Sequence, residues 1–89
     1  MAVLVTAEVP EQTKEGYDGM ICALGDSIRQ AKGFIAHFAG QTEHGWVCME
    51  LWETQEDATD YFATHVHPNL PPGIKPKRSL RALHSLVRP

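Results

Sequence analysis

An 89-residue chain with a formal charge of -3 and a sequence pI near 5.9 has the size of a single domain spanning residues 1–89. Such a chain buries only about 60–65% of the surface its unfolded form exposes, which favours support from a second subunit. The acidic balance excludes an extended nucleic-acid-binding face, and the apolar runs are too short to span a bilayer.

No charged region, apolar core and cleavage site follow one another at the start of the chain, so it reads as cytoplasmic. Cys22 and Cys48 have neither a CxxC spacing nor further partners, and both read as buried reduced thiols. Ala2 to Val9 forms an apolar strand ended by Pro10. From Thr13 to about Lys32 a helix follows, with Tyr17, Met20, Ile21, Leu24 and Ile28 on one stripe. Three glycines, Gly16, Gly19 and Gly25, weaken it, so it depends on packing against a sheet.

Gly33 resets the chain, and Phe34 to Gln41 forms a second strand joined through Glu43-His44-Gly45 to a third, Trp46 to Glu53. Thr54 then caps a helix that starts at Gln55, with Asp57 able to return the bond and Glu56 adding charge at the positive helix end. Ala58, Tyr61, Phe62, His65 and Val66 share its apolar stripe, and His67-Pro68 closes it. The proline-rich stretch 67–78 reads as a stiff loop. Ser79 to Val87 is the last strand.

The order β-α-β-β-α-β is the split unit of ferredoxin-like folds: an α+β domain with one antiparallel sheet and two helices on one face. Two helices cannot cover both faces. An uncovered face carrying Leu4, Ile35, Trp46, Cys48 and Trp52 predicts pairing of two copies into a homodimeric α+β barrel.

The strand residues sort by chemistry into two sets. Val3, Val5, Ala7, Phe34, Ala36, Phe38, Val47, Met49 and Leu51 include no ionisable group and are assigned to the helix-packed side. The opposite parity carries Thr6, His37, Trp46, Cys48, Glu50 and Trp52, an apolar wall with a few polar groups of the kind that holds a small molecule. Glu50 in such a setting is expected to have a raised pKa and to act as general acid or base beside His37. A cross-strand pair or a dimer contact accounts for the same two residues, and core filling accounts for the two indoles.

His84 joins the pocket if Ala82 and Leu86 face it; otherwise Ser85 and Arg81 do. His65 and His67 lie two residues apart, do not share a helix face and suggest no metal site; at the end of a helix they stand at the pocket mouth. Lys75, Lys77, Arg78 and Arg81 form the basic cluster, read either as a solvated loop or as a patch that attracts an anionic ligand.

The segments GFIAHFA at 33–39 and ELWETQEDATDYFATHVHP at 50–68, with the W-E-[ST]-x-E-[DE]-A pattern inside the second, resemble the antibiotic biosynthesis monooxygenase-like proteins of the dimeric α+β barrel superfamily. That resemblance implies a homodimer, a cavity between sheet and helices and, in some relatives, cofactor-free oxygenation of aromatic polyketides. Other relatives degrade haem with an asparagine, a tryptophan and a histidine; the matching positions here are Thr6, Tyr61 and Pro71, which disfavours haem chemistry.

The expectation is a small homodimeric enzyme without a cofactor, acting as a monooxygenase on an aromatic or polyketide-like small molecule. Its catalytic candidates are Glu50, His37 and His65, and its substrate-binding candidates Thr6, Trp46, Trp52, Tyr61, His67 and His84. Neither nucleic acid nor a membrane is an expected partner. The alternatives are a non-catalytic ligand-binding or stress-associated domain and a polyketide cyclase or isomerase on the same scaffold.

Overall fold

A computed structural model describes residues 1–89. Its four strands are β1 (Val3–Pro10), β2 (Phe34–Thr42), β3 (Gly45–Trp52) and β4 (Lys77–Ala82), and its helices are α1 (Lys14–Arg29) and α2 (Gln55–Tyr61). The strands form one antiparallel sheet in the order β2-β3-β1-β4, the ferredoxin-like arrangement. No helix is long and apolar enough to cross a membrane.

Local chemistry sets the helix starts. The Thr13 hydroxyl accepts from the Gly16 amide at 3.0 Å, and the Thr54 hydroxyl accepts from the Asp57 amide at 3.0 Å, each satisfying a donor that the first turn leaves open. Gly33 makes the turn into β2 at a φ of 82°. A Cβ there would collide with the Asp57 carboxylate, so this turn requires glycine both for its backbone angle and for its close approach to α2.

The second helix does not run regularly to its proline. After Tyr61 it loosens into a π-helical turn, Phe62–Val66, and then tightens into a 3-10 turn, His67–Asn69. Pro68 brings no amide and crowds the carbonyl four residues back, so the α pattern is not continued through it. The Asn69 side chain donates to the freed His65 carbonyl at 2.7 Å. π-helical turns occur often at functional sites, and this one carries Phe62 and Val66 to a cavity wall.

The assignment of sheet faces by polarity is corrected. Directly paired residues share a face, and β1 Val3, Val5, Ala7 and Val9 oppose Trp52, Glu50, Cys48 and Trp46 of β3. Val3, Val5 and Trp52 form the core with Ile28, Ala58 and Tyr61 of the helices, so this is the helix-covered face. Trp46, Cys48, Glu50 and Trp52 of β3, and His37 opposite Glu50, were expected on the uncovered side and therefore lie under the helices. Val47, Met49 and Leu51 take the opposite face with Leu4, Thr6 and the 44% exposed Phe38.

A bulge explains the slip in β2. Phe34 opposes Trp52 while Ala36 opposes Leu51, so Ile35 is an extra residue and parity inverts between Phe34 and His37. The last strand also differs from expectation, starting at Lys77 and ending at Ala82. It pairs only with β1, where Ala82 faces Val3, and a single bond from the Leu83 amide to the Ala2 carbonyl follows. His84 and Ser85 thus fall outside the strand and are exposed.

Candidate functional site

Between the sheet and the two helices lies a cavity of about 100 Å³. Val5, Leu24, Ile28, Met20 and Phe62 make its walls mainly apolar, and Ile21 both lines it and reaches the surface. Its chemistry comes from Tyr17, His37, Glu50, Cys48 and Arg78.

Four of the neighbouring side chains form one hydrogen-bonded chain. The Trp52 indole N–H donates to Glu50 Oε1 at 2.9 Å. Glu50 Oε2 lies 2.8 Å from His37 Nδ1, and His37 Nε2 lies 2.7 Å from the Tyr17 hydroxyl. His37 and Glu50 sit opposite one another across β2 and β3, and their side chains are only 16% and 19% exposed. Tyr17 reaches them from the first turn of α1 and stacks on the Trp46 ring at 5.3 Å.

Electrostatics assigns the direction of these bonds. Burial pushes the Glu50 carboxyl up, but hydrogen bonds from His37 and Trp52, and the positive charge of Arg78 and of His37 in its protonated form, outweigh it. The result is a carboxyl below its ordinary value, against the sequence expectation of a raised one. An ionised carboxylate only accepts, so His37 Nδ1 carries the hydrogen; in the neutral ring Nε2 then accepts from the Tyr17 hydroxyl.

Burial, followed by Cys48, Glu50 and Asp18, pushes Tyr17 up to about 12, so it is a neutral hydroxyl at physiological pH. Burial and then Glu50 push Cys48 up to about 11, which keeps it a thiol of low nucleophilicity. Cys22 is exposed on α1 rather than buried as expected.

The other expected site residues scatter. Tyr61 lines the cavity, but its hydroxyl is held by Ser27 Oγ at 2.7 Å. Trp52 is fully buried in the core and acts on the site only through Glu50. Trp46 packs against Tyr17, its indole N–H buried without a partner. Thr6 opposes Met49 and Ser79 on the far face of the sheet and cannot reach the cavity. His65 stacks on the outer side of Tyr61 at 4.8 Å, His67 lies exposed 6.1 Å from the Phe62 ring, and His84 is exposed beyond β4; none of the three lines the cavity.

Sequence reasoning gave Tyr17 no site role, and it named Arg78 only as one of four residues in a basic cluster. Tyr17 was visible as the one hydroxyl in the apolar stripe of the first helix. Arg78 was masked by the basic run around it.

No family profile matches the chain, and no curated protein matches it in sequence. Its fold is shared with solved structures. SnoaB, a cofactor-independent oxygenase from Streptomyces nogalater, superposes with a TM-score of 0.69 at 10% identity, covering 97% of this chain and 96% of that one. A mutant of SnoaB gives 0.64 at 10% identity, with coverages of 97% and 95%. A Bacillus cereus protein assigned as an antibiotic biosynthesis monooxygenase gives 0.55 at 14% identity, covering 99% of this chain and 95% of its own.

Proposed function

We propose that the chain is a homodimeric, cofactor-independent oxygenase of the antibiotic biosynthesis monooxygenase type, acting on an aromatic or polyketide-like small molecule. The observation that carries this reading is the Glu50–His37–Tyr17 chain ending at an apolar cavity. The shared fold with SnoaB, itself a cofactor-independent oxygenase, supports it.

The arrangement suits proton removal from an acidic hydroxyl or activated C–H. Tyr17 accepts the substrate proton on its oxygen as its own passes to His37 Nε2, and Glu50 stabilises the imidazolium that forms. This is the acid–histidine–hydroxyl logic of nucleophile activation, used here to ionise the substrate. The resulting electron-rich anion can reduce dioxygen. Combination at an activated CH2 gives a peroxide anion, which takes back the relayed proton to become a hydroperoxide; loss of water across its C–H and O–O bonds then leaves the carbonyl.

The space is compact: at about 100 Å³ it is smaller than the roughly 150 Å³ cavity that holds a benzene molecule, so a ring enters it only in part and the rest of the substrate extends past Ile21. Oxygen consumption with polycyclic phenols and anthrones tests the proposal. Wild-type protein should consume oxygen with at least one of them and form a carbonyl product, whereas Glu50→Gln should be slowed at least about 100-fold. No uptake by the wild type, or equal rates in the two proteins, would overturn it.

The open face of the sheet is what supports the dimer in this reading. Leu4, Phe38, Val47, Met49 and Leu51 share it, and contiguous apolar surface of this kind marks an interface. Sedimentation equilibrium should return twice the 9.9 kDa chain mass. Phe38→Glu, which places a charge on that face, should shift the population to monomer; a wild-type monomer would remove the dimer from the proposal.

A further inference from the structure

Arg78 is the one lysine or arginine on the cavity wall. Alternation along β4 singles it out from the basic run: Arg78 opposes Ala7 on the helix-covered face, while Lys77 and Arg81 oppose Glu8 and Leu4 on the other. Its guanidinium carbon sits 3.9 Å from the centre of the Phe62 ring, yet its side chain makes no hydrogen bond or ion pair within the chain. A partly buried guanidinium with open donors is costly unless something accepts from it. Contact with the face of a ring satisfies the charge in part and uses none of those donors.

The position relative to the relay has a clear geometry. Ala7 lies between Cys48 on one side and Arg78 on the other, so these two backbones are two strand spacings apart, about 10 Å. The small Ala7 side chain keeps the floor between them low. Glu50 is one pleat further along β3, on the same face, and its charge and that of Arg78 act on each other across the cavity. Gly or Lys at position 78 would not reproduce the donor pattern, because the planar fork of arginine matches a carboxylate with two parallel bonds.

We propose that Arg78 anchors a carboxylate on an aromatic ligand whose ring occupies the cavity over Ala7, so that the substrate class is an aromatic acid. This deepens the oxygenase reading and rests on it for the assumption that the ligand is aromatic. The carboxylate end is fixed at β4, and the acidic hydroxyl or activated C–H is directed to the Tyr17 side.

Calorimetric titration with 2-naphthoate and its neutral counterpart 2-naphthamide, under nitrogen, tests this without any turnover. Wild-type protein should bind the acid at least about tenfold more tightly than the amide. Arg78→Gln should abolish that preference while leaving the amide affinity within about twofold, Arg78→Lys should keep part of it, and Lys75→Gln/Lys77→Gln should keep nearly all. Circular dichroism checks that each variant folds. A readout that needs no variant is the Arg78 Nε–H resonance, which should shift with naphthoate and not with naphthamide.

Equal affinities in the wild type, a preference that survives Arg78→Gln, or one lost instead in the double lysine variant would overturn the assignment. So would failure of naphthoate to bind at millimolar concentration. The outcome is separable from the oxygenase test: an anion preference without oxygen uptake keeps the anchor and removes the chemistry, and uptake without the preference does the reverse.

Discussion

Replacing His37 with alanine is expected to lower oxygen-consuming turnover by about 10²–10⁴-fold, the range in which a positioned acid or base contributes. The loss should appear mainly in kcat, because the apolar walls that hold the ring, Val5, Leu24, Ile28 and Phe62, are untouched. Tyr17→Phe removes a single oxygen atom and keeps the stack on Trp46, and it should cost a similar factor if the substrate proton passes through that hydroxyl. Groups acting as one unit are not additive, so the double variant should be about as slow as the slower single one. Multiplying losses would assign the two residues separate roles.

Temperature must be chosen with the Glu50 carboxylate in mind. Without His37 it loses one of its two side-chain donors and becomes an underpaired buried charge, so the rates belong well below each variant's unfolding temperature. Proton inventory distinguishes a relay from a structural role, since a relay variant should change the solvent isotope effect on kcat, whereas a merely loosened site should not.

The fold was legible because its evidence is distributed. Two helical stripes, four short strands and the punctuation at Pro10, Gly33 and Pro68 all point to the same order, and a mistake of two residues at Trp46 or Lys32 leaves it intact. The faces were not legible, because they depend on parity, and parity turns on one residue. Ile35 reads as an ordinary member of a strand, yet its insertion opposite the Trp52–Leu51 step carries His37 to the helix side.

Sorting by polarity then failed for a physical reason. It assumes that helices cover only oily residues, whereas here they enclose Glu50 and His37 because each has its hydrogen bonds satisfied. The pairing of those two residues was within reach of the sequence, since neighbouring strands bring them level. Tyr17 was not, because its place in the chain of bonds depends on how α1 lies across the sheet.

Trp52→Ala should be the most destabilising substitution in the protein. The side chain is fully buried, packs edge-on to Phe34 at 5.4 Å and against Tyr61 at 5.5 Å, and donates to Glu50. Truncating a buried tryptophan costs about 3–5 kcal/mol, a large share of the roughly 4–13 kcal/mol available to a chain of this length. Urea unfolding should show the alanine variant partly unfolded without denaturant; a loss below about 1 kcal/mol would mean that Trp52 is not the centre of the core.

Trp52→Phe separates packing from hydrogen bonding. It keeps a ring in the core and removes the N–H that helps hold Glu50 ionised. Because the folded Glu50 carboxyl lies below its ordinary value, the stability it contributes is present above the unfolded carboxylate pKa, about 4.3, and is lost as pH falls through the lowered folded value. Losing the indole donor raises that folded value towards the ordinary one. The stability gap between wild type and Trp52→Phe should therefore be constant near neutrality and shrink on acidification below about pH 4, as the advantage of the intact carboxylate is titrated away. Thermal unfolding midpoints measured from about pH 7 to pH 3 would reveal this convergence, and parallel curves would show that the indole acts by packing alone.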